Sequence, residues 1–165
     1  MTTVSTTTET MTTDSMNMAD IKPIEILLVE DNPGDARLVA RALREAKLLN
    51  RLRLATDGAE ALMILRRQHP HTAVPRPGLI LLDLNLPKMN GFQVLAELKH
   101  DPDLRRIPVV ILTSSETEQD VLRSYDLHAN CYVSKPLSVD RFVSVVLSLH
   151  SFWFTIVRLP GSEPE

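Results

Sequence analysis

The chain has 165 residues, a length that suits one domain of ordinary size. Its 18 Lys+Arg against 21 Asp+Glu leave a net charge of −3, which excludes nucleic acid as the default partner, and its apolar runs are too short for a membrane span. A single cysteine, Cys131, excludes an internal disulfide framework and a cysteine-rich zinc site, and with 44% hydrophobic residues it points to a cored protein of the reducing cytoplasm.

The charge is uneven. Three acids (Glu9, Asp14, Asp20) and no base fall in Met1 to Asp20, so the remaining residues are neutral overall. The same stretch is Thr-rich, with four of the six methionines and few large aliphatics. Residues 1–20 therefore read as a disordered leader, without the basic start and apolar stretch of a secretory signal. Met18, just before the apolar pattern begins, is a candidate alternative translation start, which mass spectrometry of the native N-terminus would test.

Short apolar runs then alternate with helical patterns. Ile24 to Val29 reads as a buried strand after Pro23. Pro33 to Lys47 has Leu38, Val39, Ala42, Leu43 and Ala46 at helical spacing, with Pro33 suited to the first turn. Leu52 to Thr56 predicts a second strand and Ala59 to Gln68 a second helix, followed by a proline-rich loop from His69 to Gly78. Leu79 to Leu82 predicts a third strand ending at Asp83, and Asn85 to Gly91 a loop. Phe92 to His100 predicts a helix, Ile107 to Leu112 a fourth strand, and Glu116 to Leu127 a helix with an acidic first turn. Ala129 to Val133 predicts a fifth strand, and Ser138 caps a last helix running to about Arg158.

Five strands alternating with five helices imply an α/β fold: a doubly wound, flavodoxin-like parallel sheet of order 2-1-3-4-5, joined by right-handed crossovers. Ligands bind such sheets beyond the carboxyl ends of the strands, where the winding reverses. At those ends stand Glu30 and Asp31, Asp83, Thr113 and Lys135. Each alone has a plain structural reading, as a solvated turn, a cap or a strand-end hydroxyl. Their joint placement at matching strand ends is what carries the functional one.

Clustered carboxylates repel one another unless a cation sits among them. A few oxygen ligands suit Mg²⁺, which keeps waters and takes phosphate as a ligand. An aspartate so held can attack phosphorus to give an acyl phosphate, while the Lys135 ammonium pairs with one phosphoryl oxygen and the Thr113 hydroxyl donates to another.

These residues resemble the response-regulator receiver domains of two-component signalling, over about Ile24 to Leu149. The motifs are Leu-Val-Glu-Asp-Asn at 28 to 32, Asp-Gly-Ala-Glu-Ala-Leu at 57 to 62, and Leu-Asp-Leu-Asn-Leu-Pro-Lys-Met-Asn-Gly at 82 to 91. Ile-Pro-Val-Val-Ile-Leu-Thr-Ser at 107 to 114 and Tyr-Val-Ser-Lys-Pro at 132 to 136 complete the set. The resemblance implies that Asp83 is the phosphoacceptor. It also implies that Glu30, Asp31, Asp83 and the backbone carbonyl of Asn85 hold Mg²⁺, and that Thr113 and Lys135 contact the phosphoryl group. Tyr132 takes the place of the aromatic switch, and the Lys135–Pro136 bond is expected to be cis.

The last helix carries more apolar surface than a sheet needs. Phe142, Val145, Val146, Leu149, Trp153 and Ile156 form one stripe, and Val143, Leu147, Phe154 and Val157 a second. With Phe152, these suggest a homodimer surface, with Phe142, Leu147, Phe152, Trp153 and Phe154 as candidates. The expected organisation is a leader (1–20), a receiver domain (21–150) and an aromatic extension (151–165). The ending Ser-Phe-Trp-Phe-Thr-Ile-Val-Arg-Leu-Pro at 151 to 160 resembles single-domain regulators paired with bacterial phytochromes.

The expected function is thus a stand-alone response regulator: a phosphoacceptor switch rather than a metabolic enzyme, acting through protein contacts. It would be phosphorylated by a sensor histidine kinase or a histidine phosphotransfer protein. A phosphorelay intermediate or phosphate sink is the alternative output. A haloacid-dehalogenase-type phosphatase would want a second acid two residues after the nucleophile, where Asn85 stands. A flavin- or nucleotide-binding module would place phosphate against Glu30 and Asp31.

Overall fold

The structure is a computed structural model describing residues 23–150 apart from 48, 115–116 and 136–137; at 118, 139, 142, 146, 149 and 150 only the backbone is described. The leader, the extension with Phe152, Trp153 and Phe154, the Phe142 side chain and the Lys135–Pro136 bond lie outside the described residues.

Five strands and five helices alternate: β1 (Ile24–Val29), α1 (Pro33–Glu45), β2 (Asn50–Ala55), α2 (Gly58–Leu65), β3 (Leu79–Leu82), α3 (Gly91–His100), β4 (Val109–Thr113), α4 (Glu118–Asp126), β5 (Cys131–Ser134) and α5 (Val139–His150). All pairings are parallel and the sheet order is β2-β1-β3-β4-β5, the order expected from the alternation.

The two-residue side-chain period of the central strands divides the core into two layers. Leu27 and Val29 of β1, Ile80 and Leu82 of β3, and Val109 and Ile111 of β4 pack with Leu62 and Ile64 of α2 and Val94, Leu95 and Leu98 of α3. Ile26, Leu28, Leu79, Leu81, Val110 and Leu112 point the other way, against Val39, Ala42 and Leu43 of α1 and Val143 of α5. Strands buried on both faces read as continuous apolar runs, which is why β3 and β4 have no polar residue before their last positions.

Local chemistry starts the helices where they are needed. Asn32 caps α1, its Oδ1 accepting from the N–H groups of Gly34 and Asp35, with Pro33 at the first helical position. Asp57 caps α2, and Asn90 and Gln93 form a reciprocal capping box on α3. Thr117 caps α4, and Ser138 Oγ accepts from Arg141 N–H at 3.4 Å at the start of α5, as its position predicts.

Several boundaries differ from expectation: β2 begins at Asn50 and ends at Ala55 rather than running from Leu52 to Thr56, β4 begins at Val109 and ends at Thr113 rather than running from Ile107 to Leu112, α1 ends at Glu45, and the shifts of α2 and β5 have local backbone causes. α2 ends at Leu65, because Arg67 takes a left-handed φ of 51° and the N–H of Gln68 returns to the Met63 carbonyl. β5 begins at Cys131 rather than Ala129. His128 is left-handed (φ 65°) and Ala129 N–H closes back onto Ser124 O, so Ala129 still belongs to the end of α4. β5 is an edge strand, and Cys131 is half-buried against the α1 layer rather than fully in the core.

Candidate functional site

Parallel pairing continues one residue beyond the strands at the carboxyl edge. Glu30 N–H donates to Ala55 O at 2.9 Å, and Asp83 N–H donates to Val29 O at 3.0 Å. The backbones of Glu30 and Asp83 are thus held by the sheet itself, on adjacent strands, although both residues lie past the last apolar position. Both side chains are buried, at 1% and 6% exposure. Asp31 follows Glu30 and is exposed; oxygens of Glu30, Asp31 and Asp83 all lie within 4.8 Å of one another.

Burying two carboxylates beside a third is costly unless charge or hydrogen bonds compensate. Lys135 supplies the charge. Its N–H donates to Thr113 O at 2.8 Å, which seats it just past β5 beside the end of β4. Its ammonium, 8% exposed, reaches Asp83 Oδ2 at 2.9 Å, Asp35 Oδ2 at 2.8 Å and Glu30 Oε2. The other carboxylate oxygens have backbone partners: Asn85 N–H donates to Asp83 Oδ1 at 3.2 Å and Asn32 N–H to Glu30 Oε1 at 3.1 Å. Among the described residues no buried side-chain polar atom lacks a partner.

The electrostatics remain unbalanced. Three carboxylates (Glu30, Asp35, Asp83) contact one ammonium, and a fourth, Asp31, lies beside Glu30 and Asp83. Burial above all pushes the Glu30 carboxyl up to about 7, Lys135 opposing and the Asp83 charge adding to the rise. Burial lowers the proton affinity of Lys135, but the hydrogen bonds to Asp35, Glu30 and Asp83 outweigh it and leave the ammonium held more tightly than in water. An all-oxygen donor set with uncompensated negative charge fits a hard divalent cation such as Mg²⁺ or Mn²⁺.

The sequence-predicted residues Glu30, Asp31, Asp83 and Lys135 are therefore brought together. Thr113 ends β4, fully buried, opposite Ser134 in register. Tyr132 lies opposite Ile111 on β5, half-buried against the α2–α3 layer. Asn85 joins the cluster through its N–H to Asp83. Leu147 is 44% exposed on α5, as a surface role for it requires. Sequence reasoning missed Asp35. Its only signal was an acid in the first turn of a helix, which reads as a favourable interaction with the helix dipole.

Two glycines shape the loops around Asp83. A Cβ on Gly91 would stand 2.2 Å from the Asp83 carbonyl oxygen and 2.7 Å from Leu84 Cα. One on Gly58 would stand 2.3 Å from Met89 O. The β3–α3 loop therefore packs backbone to backbone, with Lys88 at φ 63° and its Nζ 3.3 Å from Asp57 Oδ2.

Among the described residues no helix is long and apolar enough to cross a membrane. The model of the response regulator receiver domain matches residues 26–147. Response regulator Rcp1 of Synechocystis sp. (strain PCC 6803) is 47% identical over 140 residues, covering 85% of this chain and 95% of Rcp1. A crystal structure of the phosphorylated cyanobacterial phytochrome response regulator RcpA superposes with a TM-score of 0.80 at 44% identity, covering 85% of this chain and all (100%) of that one. The Mn(2+)-bound form of Rcp1 superposes with a TM-score of 0.77 at 47% identity, covering 84% of this chain and 100% of the other. On these matches the chain belongs to the family of response regulator receiver domains.

Proposed function

We propose that the chain is a phosphoacceptor switch that takes a phosphoryl group on Asp83 from a phosphohistidine of a sensor kinase or of a histidine phosphotransfer protein. The observation that carries this is the placement of Asp83: buried, on a strand end, with one carboxylate oxygen 2.9 Å from Lys135 Nζ and Glu30 and Asp31 beside it. Glu30, Asp31, Asp83 and the Asn85 carbonyl would hold Mg²⁺, which when bound supplies charge neutralisation for the incoming phosphoryl oxygens.

The protein's own part is positioning. An Asp83 oxygen attacks phosphorus; the new O–P bond forms as the P–N bond breaks, and its electron pair stays on the departing imidazole nitrogen. The Lys135 ammonium and the Thr113 hydroxyl take phosphoryl oxygens, and Asn85 N–H steadies the second Asp83 oxygen. Movement of Thr113 toward the phosphoryl group would let Tyr132 turn inward and change the surface around β5 and α5. A phosphatase of the haloacid-dehalogenase kind is disfavoured because residue 85 is Asn and has no carboxyl to act as general acid.

The donor kinase fits a phytochrome, since RcpA is a phytochrome response regulator. Output runs through protein contacts in the cytoplasm or onward phosphorelay, and the exposed Leu147 with the aromatic extension supports a homodimer. Sedimentation of the full chain against one ending at Leu149 tests the dimer; a monomeric mass for both refutes it. Incubation with Mg²⁺ and phosphoramidate tests the switch. The wild type should acquire an acid-stable, base-labile phosphate and Asp83→Asn should not. Absence of wild-type labelling, or equal labelling of Asp83→Asn, refutes it.

A further inference from the structure

One carboxylate on Lys135 has no part in the reaction described above. Asp35 Oδ2 lies 2.8 Å from Lys135 Nζ, as close as Asp83 Oδ2 at 2.9 Å. An ammonium has three N–H donors, and Glu30, Asp35 and Asp83 take all three. Two of these partners are buried strand-end acids. Asp35 comes from the first turn of α1 and is 40% exposed, at the rim of the site. Its backbone is anchored, because Asn32 Oδ1 accepts its N–H at 3.1 Å. Asn32 N–H in turn donates to Glu30 Oε1 at 3.1 Å. A short, rigid path therefore runs from the end of β1 through the cap of α1 to the ammonium.

We propose that Asp35 is a positioning residue for phosphoryl transfer: it fixes the Lys135 ammonium beside Asp83, aimed where the phosphoryl oxygens arrive. This rests on Asp83 being the phosphoacceptor. A lysine stem has four rotatable bonds, and an ammonium is a point charge with no fixed direction. Its aim is set by its acceptors alone. When an acyl phosphate forms, one Asp83 oxygen becomes the bridging oxygen to phosphorus, and Lys135 must turn an N–H toward a phosphoryl oxygen. Asp35 holds a second N–H through that exchange from an element that does not carry the reacting group. Asp35 also draws part of the single positive charge away from Asp83, leaving more negative charge on the attacking oxygen. Both effects favour transfer.

The test is time-resolved labelling of the full chain with phosphoramidate and Mg²⁺, for the wild type, Asp35→Asn, Asp35→Ala, Lys135→Ala, the Asp35→Ala/Lys135→Ala double variant and Asp83→Asn. Asparagine keeps an acceptor oxygen and loses the charge; alanine loses both. Asp35→Ala should label about tenfold more slowly than wild type, the size of one lost charge-assisted hydrogen bond at a partly exposed position, with Asp35→Asn between them. In the Lys135→Ala background the Asp35→Ala change should have no further effect, because nothing remains to position. In ¹⁵N-edited spectra the slowly exchanging Lys135 ammonium protons of the wild type should be lost in Asp35→Ala, while circular dichroism stays unchanged. Wild-type labelling by Asp35→Ala overturns the proposal. So do equal slowing by Asn and Ala, which would mean net charge alone, and a full extra loss in the Lys135→Ala background. Labelling of Asp83→Asn at the wild-type rate overturns the phosphoacceptor reading instead.

Discussion

Replacing Glu30 with glutamine should stabilise the metal-free protein at neutral and alkaline pH and do nothing of the kind in acid. Glu30 is buried with its carboxyl pushed up to about 7 from 4.5, chiefly by loss of water. Between those two values the unfolded chain has released a proton that the folded chain keeps. Stability therefore falls as pH rises through this window, and the loss is complete above about pH 7. At about 1.4 kcal/mol per pH unit the interval amounts to about 3 kcal/mol. Glutamine has the shape of the protonated acid and avoids this cost. It cannot accept from both Asn32 N–H and Lys135 with two oxygens as Glu30 does, which subtracts about 1 kcal/mol. The net expectation is a gain of about 2 kcal/mol at pH 8, shrinking to zero or below by pH 5. Urea titrations in EDTA at pH 5, 6, 7 and 8 measure it. Mg²⁺ should reverse the ranking at pH 8. A cation bound only to the folded chain at a hundred times its dissociation constant adds about 2.7 kcal/mol, and the wild type has the full carboxylate set to receive it. A destabilised Glu30→Gln at pH 8, or a difference that does not change between pH 5 and pH 8, would refute the assignment of burial as the dominant effect.

Other substitutions separate the site from its scaffold. Gly91→Ala places a methyl 2.2 Å from the backbone oxygen of Asp83, so the loop must move; a loss of about 3 kcal/mol in chemical denaturation and of phosphoramidate labelling is expected. Lys99 is a different kind of lysine. Its Nζ bonds to the Arg105 and Ile107 carbonyls at 3.3 Å each and to Asn130 Oδ1 at 3.5 Å, and burial lowers its proton affinity. Lys99→Met should cost about 1–3 kcal/mol in thermal or urea unfolding by taking this donor from the Arg105 and Ile107 carbonyls, Asn130 Oδ1 keeping the Val109 N–H, while labelling of Asp83 proceeds as in the wild type.

Much of the site was legible in the amino-acid order, because a parallel sheet turns order into position. Once β1, β3, β4 and β5 were recognised by their apolar runs, Glu30, Asp83, Thr113 and Lys135 had to fall at one edge. The helix starts were equally local: Asn32, Asp57, Asn90 and Ser138 cap the turns that follow them, within three residues. Boundaries that depended on left-handed residues were not legible, since neither Arg67 nor His128 is a residue whose type demands a positive φ.

What the sequence determined by itself is the set of acids, the lysine and the sheet that gathers them, since strand periodicity and crossover handedness are short-range properties of the chain. Only the tertiary structure decided how those charges are distributed. That Asp35 shares the ammonium of Lys135, a hundred residues away, follows from the loop after β5 bringing that side chain to the first turn of α1. That Glu30 is pushed toward neutrality follows from its carboxylate facing inward, away from water. Solvation and charge pairing depend on every group within a few ångströms, and no local pattern in the chain encodes that neighbourhood.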